Sequence, residues 1–238
     1  MGANPVVRVK DLVFRWSARE QPCLDIAQLV IGAGERVFLH GPSGSGKSTL
    51  LGVLGGVLAP ERGSIRFLDT ELTQLSAAAR DRFRADHVGF IFQQFNLIPY
   101  LTALDNVILP CRFSARRNRL ATANGSSCHA EAVRLMSHLQ LDAALHRRLA
   151  TRLSVGQQQR VAAARALIGK PTFIIADEPT SSLDAPRQSA FLDLLQQQCA
   201  EAGAALLFVS HDRRLSHAFD REIGIQSLNR AGAQLEAA

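Results

Sequence analysis

An α/β fold with a parallel sheet and an inserted helical subdomain is what the sequence predicts. Three observations predict it. A short apolar run, Arg36–His40, ends directly in a glycine-rich loop and then a helix-like stretch. From about Gln94 to Thr151, alanine, leucine and arginine dominate. After that, apolar runs and helix-like stretches alternate again through the rest of the 238 residues.

The elements follow in order. Val6–Val9 and Leu12–Phe14 are β-like runs of branched and aromatic residues, and Arg36–His40 is a third. Lys47–Leu54 reads as a helix, and Ser64–Leu68 and Val88–Phe92 as strands. In the middle segment, Ala132, Leu135, Met136 and Leu139 recur at helical spacing. Pro99 and Pro110 punctuate the beginning of that segment, and Thr122–Ser127 is a polar loop. Ser154–Ile168 is then a predicted helix, Thr172–Ala176 a strand, Arg187–Glu201 a helix and Ala205–Ser210 a strand, with Arg221–Gln226 as a final strand. No stretch repeats another at domain scale.

Hydrophobic residues make up 47% and charged residues 20%, a globular balance that excludes disorder and fibrous repeats. The longest apolar stretches, Val53–Leu58 and Ala202–Val209, fall short of a membrane span. Met1–Pro5 lacks the basic-then-apolar start of a secretory signal, so none is expected. Lys and Arg number 27 against 21 Asp and Glu, a net +6. The only lysines are Lys10, Lys47 and Lys170. Asn106–Ala130 holds no acid yet carries Arg112, Arg116, Arg117 and Arg119. That stretch is expected to be a solvated loop, or else a patch facing a membrane or partner. Cys23, Cys111, Cys128 and Cys199 form no C-x-x-C pair and are expected to be reduced thiols. Adjacent Cys128 and His129 have poor geometry for a shared metal.

Gly41-Pro42-Ser43-Gly44-Ser45-Gly46-Lys47-Ser48, followed by Thr49, fits G-x-x-x-x-G-K-[ST] in full, with a strand before it and a helix after it. Chance would supply about 0.01 such matches at ordinary residue frequencies. Glycines let successive backbone N–H groups turn toward phosphate oxygens, and the helix beginning near Lys47 adds its positive end. Lys47 supplies charge to the β- and γ-phosphates, and the Ser48 hydroxyl can ligate Mg²⁺. Phe173–Ala176 is an apolar run ending in Asp177 and Glu178. Asp177 would hold Mg²⁺, and Glu178 would orient and polarise an attacking water. Leu153-Ser154-Val155-Gly156-Gln157 opens the next helix, with Ser154 as N-cap and Gln157 completing a capping box. Gly156 in that first turn costs about 1 kcal/mol relative to alanine. Approach of an anion to bare backbone would explain it, and a second anion-binding helix end suggests a site shared between two subunits.

Gly41–Ser48, Leu153–Gln157 and Ile174–Glu178, in this order, resemble the ATPase subunit of an ATP-binding cassette (ABC) transporter over nearly the whole chain. The resemblance implies a P-loop NTPase fold with an N-terminal antiparallel β subdomain. It implies one domain, with residues 1–93 and 152–238 as the catalytic core and about 94–151 as the helical subdomain. Gln93 sits where the family's Q-loop glutamine touches Mg²⁺ and the attacking water. Ser181-Ser182-Leu183-Asp184 resembles the D-loop that crosses the dimer interface, so Asp184 is implied near the nucleotide. His211 resembles the switch histidine that contacts the γ-phosphate. Trp16 falls where the family places an aromatic on adenine, with a buried core tryptophan as the alternative. The signature usually reads L-S-G-G-Q, and Val155 departs from it, while Ser154, Gly156 and Gln157 are retained.

By the same resemblance, two copies sandwich two ATP molecules, each phosphate loop facing the other's Ser154–Gln157. Phe90–Pro99 and Leu101–Val107 are similar to the lipoprotein-releasing and macrolide-exporter group of ATPases, which pair with permeases of few membrane spans. The implied setting is cytoplasmic, peripheral on the inner face of the membrane through a separate permease, with no nucleic acid. Phe95, Leu97, Ile98, Leu101 and Leu104 are expected to form the groove that receives it, or else to pack in the core. An amino-acid-type importer and a division-type complex that transmits force without transport are the alternatives. A DNA-repair or translation ATPase is disfavoured, since neither a long coiled coil nor a second cassette is present.

Overall fold

A computed structural model describes residues 5–231 of the chain. It divides into two compact units, one from residues up to Arg84 and from Leu207 onward, the other Ala85–Leu206.

In the first unit, β1 (Pro5–Phe14), β2 (Leu24–Gly32), β4 (Arg62–Phe67) and β5 (Thr70–Glu71) form an antiparallel sheet in the order β2-β1-β4-β5. The two predicted runs in residues 6–14 are one strand. Its pairing with β4 slips between Lys10 and Val13, where Asp11 takes φ +47°. This bulge resets the alternation, so that Leu12, Val13 and Phe14 are all buried. β2 escaped the sequence reading, although Leu24, Ile26, Leu29 and Ile31 alternate inward. Between these strands run β3 (Arg36–His40) and α1 (Lys47–Leu54), both as predicted. β3 pairs in parallel with β9 (Arg221–Gly224), and α8 (Ile225–Leu228) follows at once, so the predicted strand 221–226 is cut short. Phe38 packs on Phe208 and Phe219 with ring centroids 6.3 and 5.3 Å away. At the start of β3, Arg36 donates from Nη2 to the Asp220 carboxylate at 2.6 Å. That hydrogen bond holds the Asp220 carboxyl below its ordinary range, against a smaller opposing effect of burial.

α2 (Ala77–His87) leads from the first unit into the second. There, β6 (Val88–Ile91) pairs in parallel with β7 (Phe173–Asp177), from Val88 opposite Phe173 to Ile91 opposite Ala176. Phe173–Ala176 are buried without interruption, as a parallel strand covered on both faces requires. The helices are α3 (Ala103–Phe113), α4 (Ala115–Ala121), α5 (Cys128–His138), α6 (Val155–Leu167) and α7 (Ala185–Ala202). Ala132, Leu135, Met136 and Leu139 are all buried, as their spacing predicted. β8 (Ala205–Val209), buried at every position, carries the chain back to the first unit. No helix among the described residues is long and apolar enough to cross a membrane.

Two expectations are corrected, and one open reading is decided. Pro110 does not mark the start of the helical segment but lies inside α3. Of the two readings left open for Phe95, a groove or the core, its 7% exposure fits the core. The acid-free stretch is helical, and its Arg117 is 2% exposed. Arg117 Nη2 donates to the Val88 carbonyl at 2.6 Å, and Nη1 to those of Ala166 and Ile168 at 3.3 and 3.4 Å. Burial pulls its pKa down to about 10, so it stays charged at neutral pH and depends on those carbonyls. Arg117→Met keeps the bulk but strands three carbonyls at the ends of β6 and α6. It is expected to destabilise the fold by about 2–4 kcal/mol, read as a lower urea midpoint at unchanged slope.

Candidate functional site

The phosphate loop spans β3 to α1 in the first unit. Gly46 caps α1 with φ +94°, a left-handed turn that only glycine enters freely, and no side chain caps the helix. A helix N-terminus without a side-chain cap suits an anion, because the helix dipole is positive there. Lys47 Nζ donates to the Gly41 carbonyl at 2.9 Å and the Pro42 carbonyl at 2.7 Å, folding the ammonium back over the loop. Ser45 Oγ closes the turn on the Pro42 carbonyl at 2.8 Å. Thr49 is buried, its hydroxyl accepting from the Cys23 thiol at 3.5 Å.

Asn229 was invisible to sequence reading. Its Nδ2 donates to the Cys23 carbonyl at 2.9 Å and the Ser45 carbonyl at 3.4 Å, and its Oδ1 accepts from Asp25 N–H at 2.8 Å. This buried amide clamps the phosphate loop to the start of β2. A lone asparagine near the end of a chain carries no signal for such a role.

Also in the first unit, Trp16 is 61% exposed and edge-on to Phe14 at 5.1 Å, so it is not a core tryptophan. His211 is exposed on the loop after β8. Beside it, the Arg214 hydrogen bond holds the Asp212 carboxyl below its ordinary range.

The second unit carries the remaining candidates. Asp177 ends β7, and Glu178 follows with φ +47°, a strained backbone for a non-glycine residue. Two buried glutamines fix the turn after it: Gln159 Nε2 on α6 donates to the Pro179 carbonyl at 2.8 Å, and Gln188 Nε2 on α7 to that of Thr180 at 3.2 Å. Neither stood out in the sequence. Asp184 caps α7, accepting from Arg187 N–H at 3.0 Å. Ser154 and Gln157 form the expected capping box. Ser154 N–H donates to Gln157 Oε1 at 2.9 Å, and Gln157 N–H to Ser154 Oγ at 3.4 Å. A Cβ at Gly156 would meet nothing within 4 Å among the described residues, and Val155 is 50% exposed. Gln93 lies exposed after β6, between exposed Phe92 and the turn at Phe95–Asn96. Among the described residues no three His, Cys, Asp or Glu side chains gather as a metal cage.

Residues 24–181 match the ABC transporter family model. The lipoprotein-releasing system ATP-binding protein LolD of Anaeromyxobacter dehalogenans is 43% identical over 200 residues, covering 84% of this chain and 81% of that one. The macrolide export ATP-binding/permease protein MacB of Rhodopirellula baltica is 37% identical over 211 residues, 88% of this chain but 30% of its own length. Among solved structures, the dimeric post-hydrolysis state of the ATP-binding cassette MJ0796 bound to ADP and Pi matches with TM-score 0.81 and 34% identity. It covers 94% of this chain and 95% of that one. With a phosphate loop of this geometry and these relatives, the chain belongs to the ABC transporter family, as an α/β P-loop cassette that binds and hydrolyses ATP.

Proposed function

We propose that the chain is one of two ATPase subunits that drive a separate membrane permease exporting or extracting a lipoprotein, lipid, peptide or drug. The observation that carries this is the phosphate loop: an uncapped helix N-terminus beside a lysine folded over Gly41 and Pro42. Both the LolD relative and the MacB relative are named for outward movement of cargo or its release, which favours that direction over import.

In this reading Gly41–Thr49 and Lys47 bind the phosphates, and Trp16 covers the adenine. Glu178 takes the proton of the attacking water, His211 touches the γ-phosphate, and Gln93 and Asp184 border the reacting end. Ser48, Asp177 and Gln93 would hold Mg²⁺, which neutralises phosphate charge when bound. Magnesium takes few protein ligands beside phosphate oxygens, so one hydroxyl, one carboxylate and one amide suit it. Gly156 supports a dimer. Among the described residues nothing lies within 4 Å of where a Cβ on Gly156 would stand, and Ser154 and Val155 are exposed around it. A second copy's nucleotide accounts for the bare backbone. The cassette then works in the cytoplasm, on the inner membrane face, through the permease it binds.

Trp16 is the only tryptophan, so its emission reports the site directly. Mg-ATP is expected to change that emission saturably, and Trp16→Phe to abolish the signal while weakening ATP binding about threefold to tenfold. An emission blind to saturating ATP would remove Trp16 from the site. Co-purification tests the partner: recovery with a permease of few spans supports the proposal, and a multi-span importer permease overturns it.

A further inference from the structure

The segment that carries Gln93 has an unusual backbone. Phe95 and Asn96 follow one another at φ +58° and +47°, and two successive non-glycine residues in the left-handed region are strained. Local hydrogen bonds shape the turn, from Phe95 N–H to the Phe92 carbonyl at 2.9 Å and from Asn96 N–H to that of Gln94 at 2.6 Å. The Phe95 ring is buried beneath it.

Arg165, in the last turn of α6, reaches this pair. Its Nη2 donates to the Phe95 carbonyl at 2.5 Å and its Nη1 to the Asn96 carbonyl at 2.6 Å. Each arm of one planar fork thus takes one carbonyl of the strained dipeptide. Among the described residues no carboxylate shares the guanidinium, and burial lowers its pKa. A partly buried arginine without a carboxylate depends on these two carbonyls for compensation, and they in turn stay aimed at it only while the backbone is left-handed. The other end of α6 begins at Val155 under the Ser154 cap. One helix therefore presents Ser154–Gln157 at its start and grips the Gln93 segment near its end.

We propose that Arg165 is a positioning residue for ATP hydrolysis, its two Nη groups holding Phe95–Asn96 in the left-handed turn that sets where Gln93 stands. This rests on Gln93 belonging to the nucleotide site, as proposed above. Gln93 is the residue that acts, and Arg165 acts only through it.

The test uses the full chain, with ATP turnover and Trp16 emission as separate readouts. Arg165→Gln is expected to lower kcat about tenfold while ATP affinity changes less than about twofold, because Lys47 and the phosphate loop, which carry most of the binding, are left in place. Arg165→Lys, with a single donor head, recovers part of the loss. Asn96→Gly alone keeps near-normal turnover. Added to Arg165→Gln it restores kcat roughly threefold, since glycine enters the left-handed region without a clamp. In a Gln93→Ala background, Arg165→Gln adds no further loss. No rescue by Asn96→Gly, or an undiminished second loss in the Gln93→Ala background, overturns the clamp while leaving the Gln93 assignment intact. A Gln93→Ala chain with full kcat overturns that assignment and the proposal with it. If Arg165→Gln fails to fold, Arg165→Lys with and without Asn96→Gly makes the same comparison.

Discussion

A Glu178→Gln chain is expected to bind ATP about as tightly as the parent and to release phosphate about 10²–10⁴-fold more slowly. Glutamine keeps the size and reach of glutamate but cannot take a proton from water. The surrounding turn should survive, because Gln159 and Gln188 hold the Pro179 and Thr180 carbonyls from α6 and α7 whatever stands at position 178. The Glu178 backbone stands at φ +47° just before that held turn. Since ATP would persist between two copies, the variant should also accumulate as a dimer at saturating Mg-ATP. Phosphate release and light scattering read the two effects separately. Turnover at the parent rate would show that Glu178 is not the base.

Lys47→Ala should act at the earlier step. The Lys47 ammonium donates to the Gly41 and Pro42 carbonyls at 2.9 and 2.7 Å. A triphosphate offers the same ammonium full negative charge, and a charge-assisted hydrogen bond contributes about 1.5–3 kcal/mol. Loss of that term corresponds to roughly 10–150-fold weaker ATP binding, with turnover falling at least as far. A Trp16 emission titration measures it. An unchanged midpoint would remove Lys47 from phosphate binding. The contrast is the diagnostic point: the lysine variant loses affinity, the glutamate variant loses chemistry.

The parts of this molecule legible in the sequence are those where one physical demand fixes several neighbouring residues. β3 and α1 were read residue for residue because a buried parallel strand must be apolar and a phosphate loop must be glycine-rich. The Ser154–Gln157 capping box was legible because it is closed by residues three apart. α2 left no trace, since none of its residues is buried and a helix without an inward face has no apolar period. Pro110 reads as punctuation in the sequence, yet α3 continues through it. Arg117 shows the deeper limit. Composition counts an arginine as solvated, and only the convergence of the Val88, Ala166 and Ile168 carbonyls from distant positions explains why this one is not. Asn229 and Arg165 belong with it, because backbone carbonyls carry no sequence signature.

The Asn229 clamp has a consequence for the order in which the protein is made. Its hydrogen bond to Asp25 closes a separation of 204 residues, and that to Cys23 one of 206. On the ribosome, synthesis at about 5–20 residues per second means a delay of roughly 10–40 seconds between the two ends of this contact. The second unit, Ala85–Leu206, is continuous in sequence and is complete before the clamp residue exists. The phosphate loop, though made early, waits in an unclamped state until residue 229 emerges. The clamp on this loop is therefore closed only after the whole of the second unit has been made.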